Sequence, residues 1–208
     1  MNKIEIISNY LDKHYANPRS ELNYNKDYEL LLAVVMSAQT TDLRVNSVTE
    51  KLFKIYPSLE ALANAKLADI EKIIRSIGTY KKKSVFIQEI ARELLKKGYL
   101  PNDREFLESL PGVGRKTASV VLSNLFAVPA IAVDTHVARV SKRLALASEK
   151  DDVLEIEKKL MKKFPKENWI KLHHQMILFG RYHCKAIKPL CETCGLQEQC
   201  NYYKKRLK

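Results

Sequence analysis

The sequence predicts an all-α fold, and three observations carry that prediction. Apolar residues recur at helical spacing along most of the 208 residues, no run shows the strict alternation of a half-buried strand, and proline and glycine punctuate the periodic segments at their ends. The segment from Tyr28 to Met36 reads as a largely buried helix with Asp27 as its N-cap. Further helices are expected over 42–56, 59–65, 67–77, 82–97, 103–110, 114–126, 135–146, 151–164 and 167–183. Pro57, Pro101, Pro129 and Pro165 stand at or near their ends, where a missing N–H and a fixed φ do least harm. Gly78 and Gly98 follow two of them, as helix stops do. No repeat, low-complexity tract or long linker breaks the pattern.

Composition narrows the partners. Hydrophobic residues make up 46% of the chain, enough for one sizeable domain or two smaller ones sharing an interface. Lys and Arg total 36 against 24 acids, a net charge of +12. That excess suits a polyanion, with nucleic acid ahead of an anionic membrane surface. The longest uninterrupted apolar run, Leu30 to Met36, falls far short of the roughly 20 residues a bilayer demands, so no membrane span is expected. The N-terminus carries an acid at Glu5 and no signal-peptide apolar stretch, so a cytoplasmic protein without a targeting signal is expected. All four cysteines fall in the last 25 residues. Clustered in a reducing compartment, they argue for a metal site over disulfides.

The most informative segment is Leu110-Pro111-Gly112-Val113-Gly114-Arg115-Lys116-Thr117-Ala118, which holds two of the six glycines within three residues. Glycine permits positive φ and lets backbone approach another group closely. The amides of Gly112, Val113 and Gly114, followed by the open N-terminus of the next helix with Arg115, form a cradle for phosphate. A helix–turn–helix of this kind would hold DNA by its backbone and read no sequence. Taken alone, Gly-x-Gly fits a plain tight turn between two core helices equally well.

The full string resembles the helix–hairpin–helix of the endonuclease III family of DNA glycosylases. Ser37-Ala38-Gln39 with Thr41-Asp42 is similar to the family's N-terminal helix end, Ile131-Ala132-Val133-Asp134-Thr135-His136-Val137 to its catalytic-aspartate segment, and Gly180-Arg181-Tyr182-His183-Cys184 to the opening of its cluster loop. The resemblance runs in order along essentially the whole chain. It implies a bifunctional DNA glycosylase and abasic-site lyase in base excision repair, acting on double-stranded DNA with oxidised pyrimidines or abasic sites. Lys116 would then be the nucleophile that displaces the base, forms a Schiff base with the opened sugar and breaks the strand by β-elimination. An attacking amine must be uncharged, which partial burial, a helix N-terminus and Arg115 would favour. Asp134, expected to cap the following helix, would also steady the positive charge growing on the sugar. His136 is expected in local packing or hydrogen bonding.

The resemblance further assigns the gap left by the extruded base to Gln39 and to the loop Gly78-Thr79-Tyr80-Lys81. Thr79 departs from the pattern, since family members often carry leucine there, and threonine is a shorter, more polar wedge. Lys81, Lys82 and Lys83 fit either a solvated face or, beside the wedge, contacts to phosphate. Cys184-x6-Cys191-x2-Cys194-x5-Cys200 matches the family spacing for a [4Fe–4S] cluster. Tetrahedral zinc is also chemically sensible for four thiolates, though zinc ribbons usually show two Cys-x2-Cys pairs. The cluster loop displays Lys185 and Lys188 toward phosphate.

Two helical domains are expected to flank a DNA-binding cleft. One spans about 20–130, with the hairpin at about 103–126, and the other joins 1–19 to 131–208 with the cluster loop. Lys116 and Asp134 would face each other across that groove. A monomer associated with the nucleoid is expected. Two alternatives stand beside this reading. A mismatch adenine glycosylase shares the hairpin, the aspartate and the cluster, but typically lacks lysine at position 116 and adds a C-terminal domain, for which eight residues after Cys200 leave no space. A non-catalytic DNA-binding module would have no need of Lys116 together with Asp134.

Overall fold

The structure, a computed structural model, describes residues 1–207 and divides into two compact units, Ser20–Ala127 and Met1–Arg19 with the chain from Val128 onward. Both are all-helical, with no strand among the described residues. No helix there is long and apolar enough to cross a membrane.

The Ser20–Ala127 unit is built on α2 (Asp27–Ser37), in which every residue from Glu29 to Met36 is buried. A helix apolar nearly all round must be enclosed by neighbours. Here α3 (Asp42–Ile55), α6 (Tyr80–Lys97) and α8 (Arg115–Phe126) pack around it. The short helices α4 (Leu59–Ala63) and α5 (Leu67–Ile74) lie on α6, and α7 (Arg104–Ser109) lies on α8. Each fully buried Leu or Ile of this core contributes roughly 1.5–3 kcal/mol relative to exposure.

One expected cap is corrected. Lys26, not Asp27, is the N-cap of α2, and Asp27 is its first helical residue. Glu29 does the capping, its buried carboxylate accepting from the N–H groups of Asn25 (2.7 Å) and Lys26 (3.2 Å). Glutamate one turn inside the helix reaches back to the donors that have no intrahelical partner.

In the other unit α1 (Lys3–His14) opens with a capping box formed by Asn2 and Glu5. Its buried Ile7 and Leu11 join Val137 and Val140 of α9 (Thr135–Arg143), Leu160 of α10 (Val153–Lys163), Met176 of α11 (Trp169–Leu178), Phe179 and Leu196 in one core. The expected helix over 167–183 is present as a 3₁₀ turn at Lys166–Asn168, α11, and a π-helical turn at Phe179–His183. The helix expected over 135–146 stops at Arg143, because Ala145 takes a left-handed conformation (φ 50°). A short terminal helix, α12 (Asn201–Arg206), was not expected.

Candidate active site and cysteine centre

The hairpin joins α7 to α8 in the Ser20–Ala127 unit. Asp103 caps α7 by accepting from the N–H groups of Glu105 (2.9 Å) and Phe106 (3.3 Å). Arg104 donates to Glu108 (3.0 Å) and to Ser119 on α8 (3.2 Å), tying the two helices. The turn closes where the Val113 N–H donates to the Leu110 carbonyl (3.1 Å), and the Val113 side chain is buried beneath it.

The two glycines differ in kind. Gly112 has φ 76°, and a Cβ there would collide with the Phe86 ring. Gly114 is extended (φ −98°), caps α8 without a side chain, and has nothing within 4 Å of where a Cβ would stand. Only Gly112 therefore uses the positive φ expected of the pair, while Gly114 leaves open space before the helix. Arg115 and Lys116 stand exposed in the first turn of α8, which contains no acid. The positive end of the helix dipole lies there, as an anion site requires. Lys116 is exposed, so the partial burial expected for it is absent from this structure.

The same unit brings Gln39, Thr79 and Tyr80 together around a pocket of about 540 Å³, with Thr41, Arg44 and Arg75 also on its wall. Gln39 and Thr79 are exposed and both left-handed, at φ 59° and 56°. Such a conformation costs a non-glycine residue on the order of 1–3 kcal/mol and persists only where the surroundings enforce it. Arg44 and Arg75 add guanidinium groups that no motif announced. Lys81 and Lys82 are exposed as a phosphate contact requires, and Lys82 lies over the Phe86 ring at 5.5 Å. Lys83 is a correction. It is buried, and its ammonium donates to the carbonyls of Met36 (2.9 Å) and Ala38 (2.7 Å). Burial pulls its pKa below the usual lysine value. Its fourth position along α6 turns it inward while Lys81 and Lys82 face out.

Asp134 belongs to the other unit. It is the N-cap of α9, as expected, and its Oδ1 accepts from the N–H groups of His136 (2.9 Å) and Val137 (2.8 Å). Its Oδ2 lies 3.1 Å from His136 Nδ1, so both oxygens are held and the carboxylate has one orientation. The helix dipole favours the negative charge at this end. The buried stretch Ile131–Val133 fixes the approach from before the cap.

The far end of α9 holds the cysteine loop. Arg139 donates to the carbonyls of Cys184 (3.1 Å) and Gly180 (2.7 Å). Arg143 donates to the carbonyls of Lys185 (2.7 Å) and Ala186 (3.2 Å) and to Cys184 Sγ (3.4 Å), and lies 4.1 Å over the Tyr202 ring. Gly180 lets the π-helical turn press against α9, for a Cβ there would stand 2.9 Å from that of His136. Cys184, Cys191, Cys194 and Cys200 line one pocket. Among the described residues no three His, Cys, Asp or Glu side chains close on a single ion. The Tyr203 N–H donates to Cys200 Sγ (3.4 Å), and Tyr10 and the Leu196 backbone hydrogen-bond Cys194. Burial pushes the Cys184 and Cys194 thiols up, and the hydrogen bonds from Arg143, Leu196 and Tyr10 work against it. Four soft sulfurs in one pocket, three of them hydrogen-bonded by N–H or O–H groups, form a donor set that fits an iron–sulfur cluster. Lys185 and Lys188 are exposed on the loop between the first two cysteines.

Residues 32–166 match the HhH-GPD superfamily of base excision DNA repair proteins. Over the whole length the chain is 46% identical to endonuclease III of Bacillus subtilis (strain 168), covering 99% of this chain and 95% of that one. It is 42% identical to endonuclease III of Escherichia coli (strain K12), covering 99% of both. The chain belongs to the endonuclease III family. Its structure superposes on that of a trapped endonuclease III–DNA covalent intermediate with a TM-score of 0.94, at 48% identity and full coverage of both chains. A thermostable thymine-DNA glycosylase shares the fold alone, with a TM-score of 0.85 at 24% identity and 98% and 97% coverage.

Proposed function

We propose that this chain is a bifunctional DNA glycosylase and abasic-site lyase that excises oxidised pyrimidines from double-stranded DNA during base excision repair, working on the nucleoid in the cytoplasm. The observation that carries the proposal is an exposed lysine in the first turn of α8, directly after the phosphate-cradling hairpin, in a chain of the endonuclease III family.

The Lys116 amine attacks the sugar carbon that bears the damaged base. The C–N bond to the base breaks, the departing base takes up a proton, and the sugar ring opens to a protonated Schiff base on Lys116. That iminium acidifies the neighbouring sugar C–H. Loss of this proton sends its electron pair toward the iminium and expels the 3′ phosphate, so the strand breaks by β-elimination. Water then hydrolyses the imine and frees the lysine. Asp134, held in one orientation by the start of α9, offers a fixed negative charge to the cation that grows on the sugar. The mismatch adenine glycosylase reading lacks this chemistry, because it has no lysine to form the Schiff base.

Cys184, Cys191, Cys194 and Cys200 would hold a [4Fe–4S] cluster, which supplies four iron–thiolate bonds that tie down a loop with little core of its own. Arg139 and Arg143 orient the loop backbone for it, and Lys185 and Lys188 would meet phosphate.

Borohydride reduction tests the central step. Incubated with a duplex carrying an oxidised pyrimidine or an abasic site, the protein becomes covalently attached to DNA when the imine is reduced. Lys116→Gln is expected to abolish both attachment and cutting. A Lys116→Gln protein that still traps and still cuts would assign the nucleophile elsewhere. Purified protein should be brown with broad visible absorbance; a colourless, zinc-loaded and fully active preparation would overturn the iron assignment.

A further inference from the structure

We propose that Lys83 is a positioning residue that locks the Gln39 turn and the Thr79 turn into one rigid probe for the gap left when a nucleotide is extruded. The inference rests on the glycosylase reading and deepens it, by naming what holds the probe in shape.

Gln39 and Thr79 lie 40 positions apart in sequence, yet share the wall of one pocket. Each is exposed and each is left-handed, so neither turn holds that shape from local preference. Lys83 touches both. Its backbone N–H donates to the Thr79 carbonyl (3.1 Å), closing the first turn of α6 on the residue that bears one side of the probe. Its side chain runs inward, only 4% exposed, and its ammonium donates to Ala38, the residue directly before Gln39, and to Met36 at the end of α2. The last carbonyls of a helix have no intrahelical partner and carry the negative end of its dipole, so a cation there is well matched. One residue thus grips the backbone beside each tip. A methionine would fill the volume but leave the Met36 and Ala38 carbonyls without this donor.

The chemistry predicts which step suffers. Extruding a paired or partly paired base requires the gap to be filled, whereas a sugar already without its base is extruded more easily. Misplacement by about 1 Å can cost on the order of a hundredfold in rate. Lys83→Met in the full, cluster-loaded protein is expected to slow single-turnover excision of an oxidised pyrimidine by about ten- to a hundredfold, and to slow cutting of a preformed abasic site far less. The fluorescence of 2-aminopurine placed opposite the lesion, which rises when the probe unstacks it, should fall in the same variant. Lys83→Arg, which keeps a cation and several donors, should recover part of both. Equal loss on both substrates, or an unchanged fluorescence rise with normal excision, would overturn the proposal.

Should Lys83→Met fail to fold, a double-mutant cycle on the otherwise unaltered protein decides. Gln39→Ala and Thr79→Ala together should slow excision by clearly less than the product of their separate effects, as parts of one unit do. Multiplying effects would sink the idea. Borohydride trapping of the unaltered protein on an abasic duplex separates the two readings. Without trapping, the bifunctional glycosylase and lyase assignment itself fails; with it, a negative result above falls on Lys83 alone.

Discussion

Asp134 has a structural duty and a proposed chemical one, and two substitutions pull them apart. Its Oδ1 caps α9, and asparagine can make the same two hydrogen bonds without the charge. Asp134→Asn should therefore leave thermal stability nearly unchanged while lowering base excision by about a hundred- to a thousandfold, the scale of a lost electrostatic contact in a transition state. Asp134→Ala should lose about 1 kcal/mol of stability as well. Calorimetry and single-turnover assays on the same two proteins check this, and an asparagine variant with full activity would reduce the residue to a cap. Gly112 and Gly114 separate in a similar way. Gly112→Ala combines a left-handed φ with a collision against Phe86, and should cost about 1–3 kcal/mol in unfolding free energy. Gly114→Ala meets no neighbour, so its stability loss should stay below about 1 kcal/mol, with phosphate affinity reduced where the added methyl stands in the open approach. If the two alanine variants unfold together, the distinction between the glycines is wrong.

Among the elements, α9 joins the proposed chemistry to the cysteine loop, with Asp134 at its start and Arg139 and Arg143 reaching the Cys184–Ala186 backbone from its far end. Arg143→Met removes donors to three carbonyls and to Cys184 Sγ but leaves the buried face of α9 intact. The visible absorbance of the proposed cluster should then bleach several times faster in air or chelator, while helical content is unchanged; equal bleaching rates would exclude the role. These arginines also show where sequence reading stops. The helices were legible because their apolar period is local, and the cysteine tetrad because its spacing is local too. Arg139 and Arg143 act on carbonyls more than 40 positions away, Phe86 acts on Gly112, and Lys83 acts on the end of α2, and no local pattern encodes such pairings. Lys83 reads in the sequence as solvated or phosphate-bound because three successive lysines look alike in a string, whereas helical geometry turns the third inward. The π-helical turn at Phe179–His183 was hidden for a related reason, since it depends on Gly180 meeting His136 and Val140 on another helix.

At the scale of the whole molecule, charge governs both stability and binding. Asp12 is held below the usual carboxylate range by its hydrogen bonds from Lys171 and Gln175, and Asp151 by Lys159 and the Ser148 N–H. For a carboxylate whose folded pKa is depressed, the unfolded chain takes up protons first as pH falls. The stabilisation is complete above the ordinary carboxylate value near 3.9 and is lost as pH drops through the lower folded value. Asp151→Asn should flatten the acid limb of the stability curve below about pH 5, leaving its neutral part lower but level. A curve that keeps its full acid slope would show the ion pair to be without effect. Binding follows from the net charge of +12, together with the proposed contacts, which are largely backbone amides and cations. Neutralising phosphates releases condensed counterions, so log affinity falls linearly with log salt at about −0.9 per phosphate contact. Affinity for an undamaged duplex should therefore drop steeply between roughly 50 and 200 mM salt. If Arg44 or Lys82 meets phosphate as proposed, Arg44→Ala or Lys82→Ala should shallow that slope by about one while weakening all sequences alike. The comparison between damaged and undamaged duplexes carries the decision. The salt slope belongs to the phosphates and should be nearly the same for both, whereas the vertical offset between the two lines belongs to the extruded nucleotide. A slope near zero would contradict backbone-dominated binding, and parallel lines with no offset would mean that the protein grips DNA without recognising the lesion.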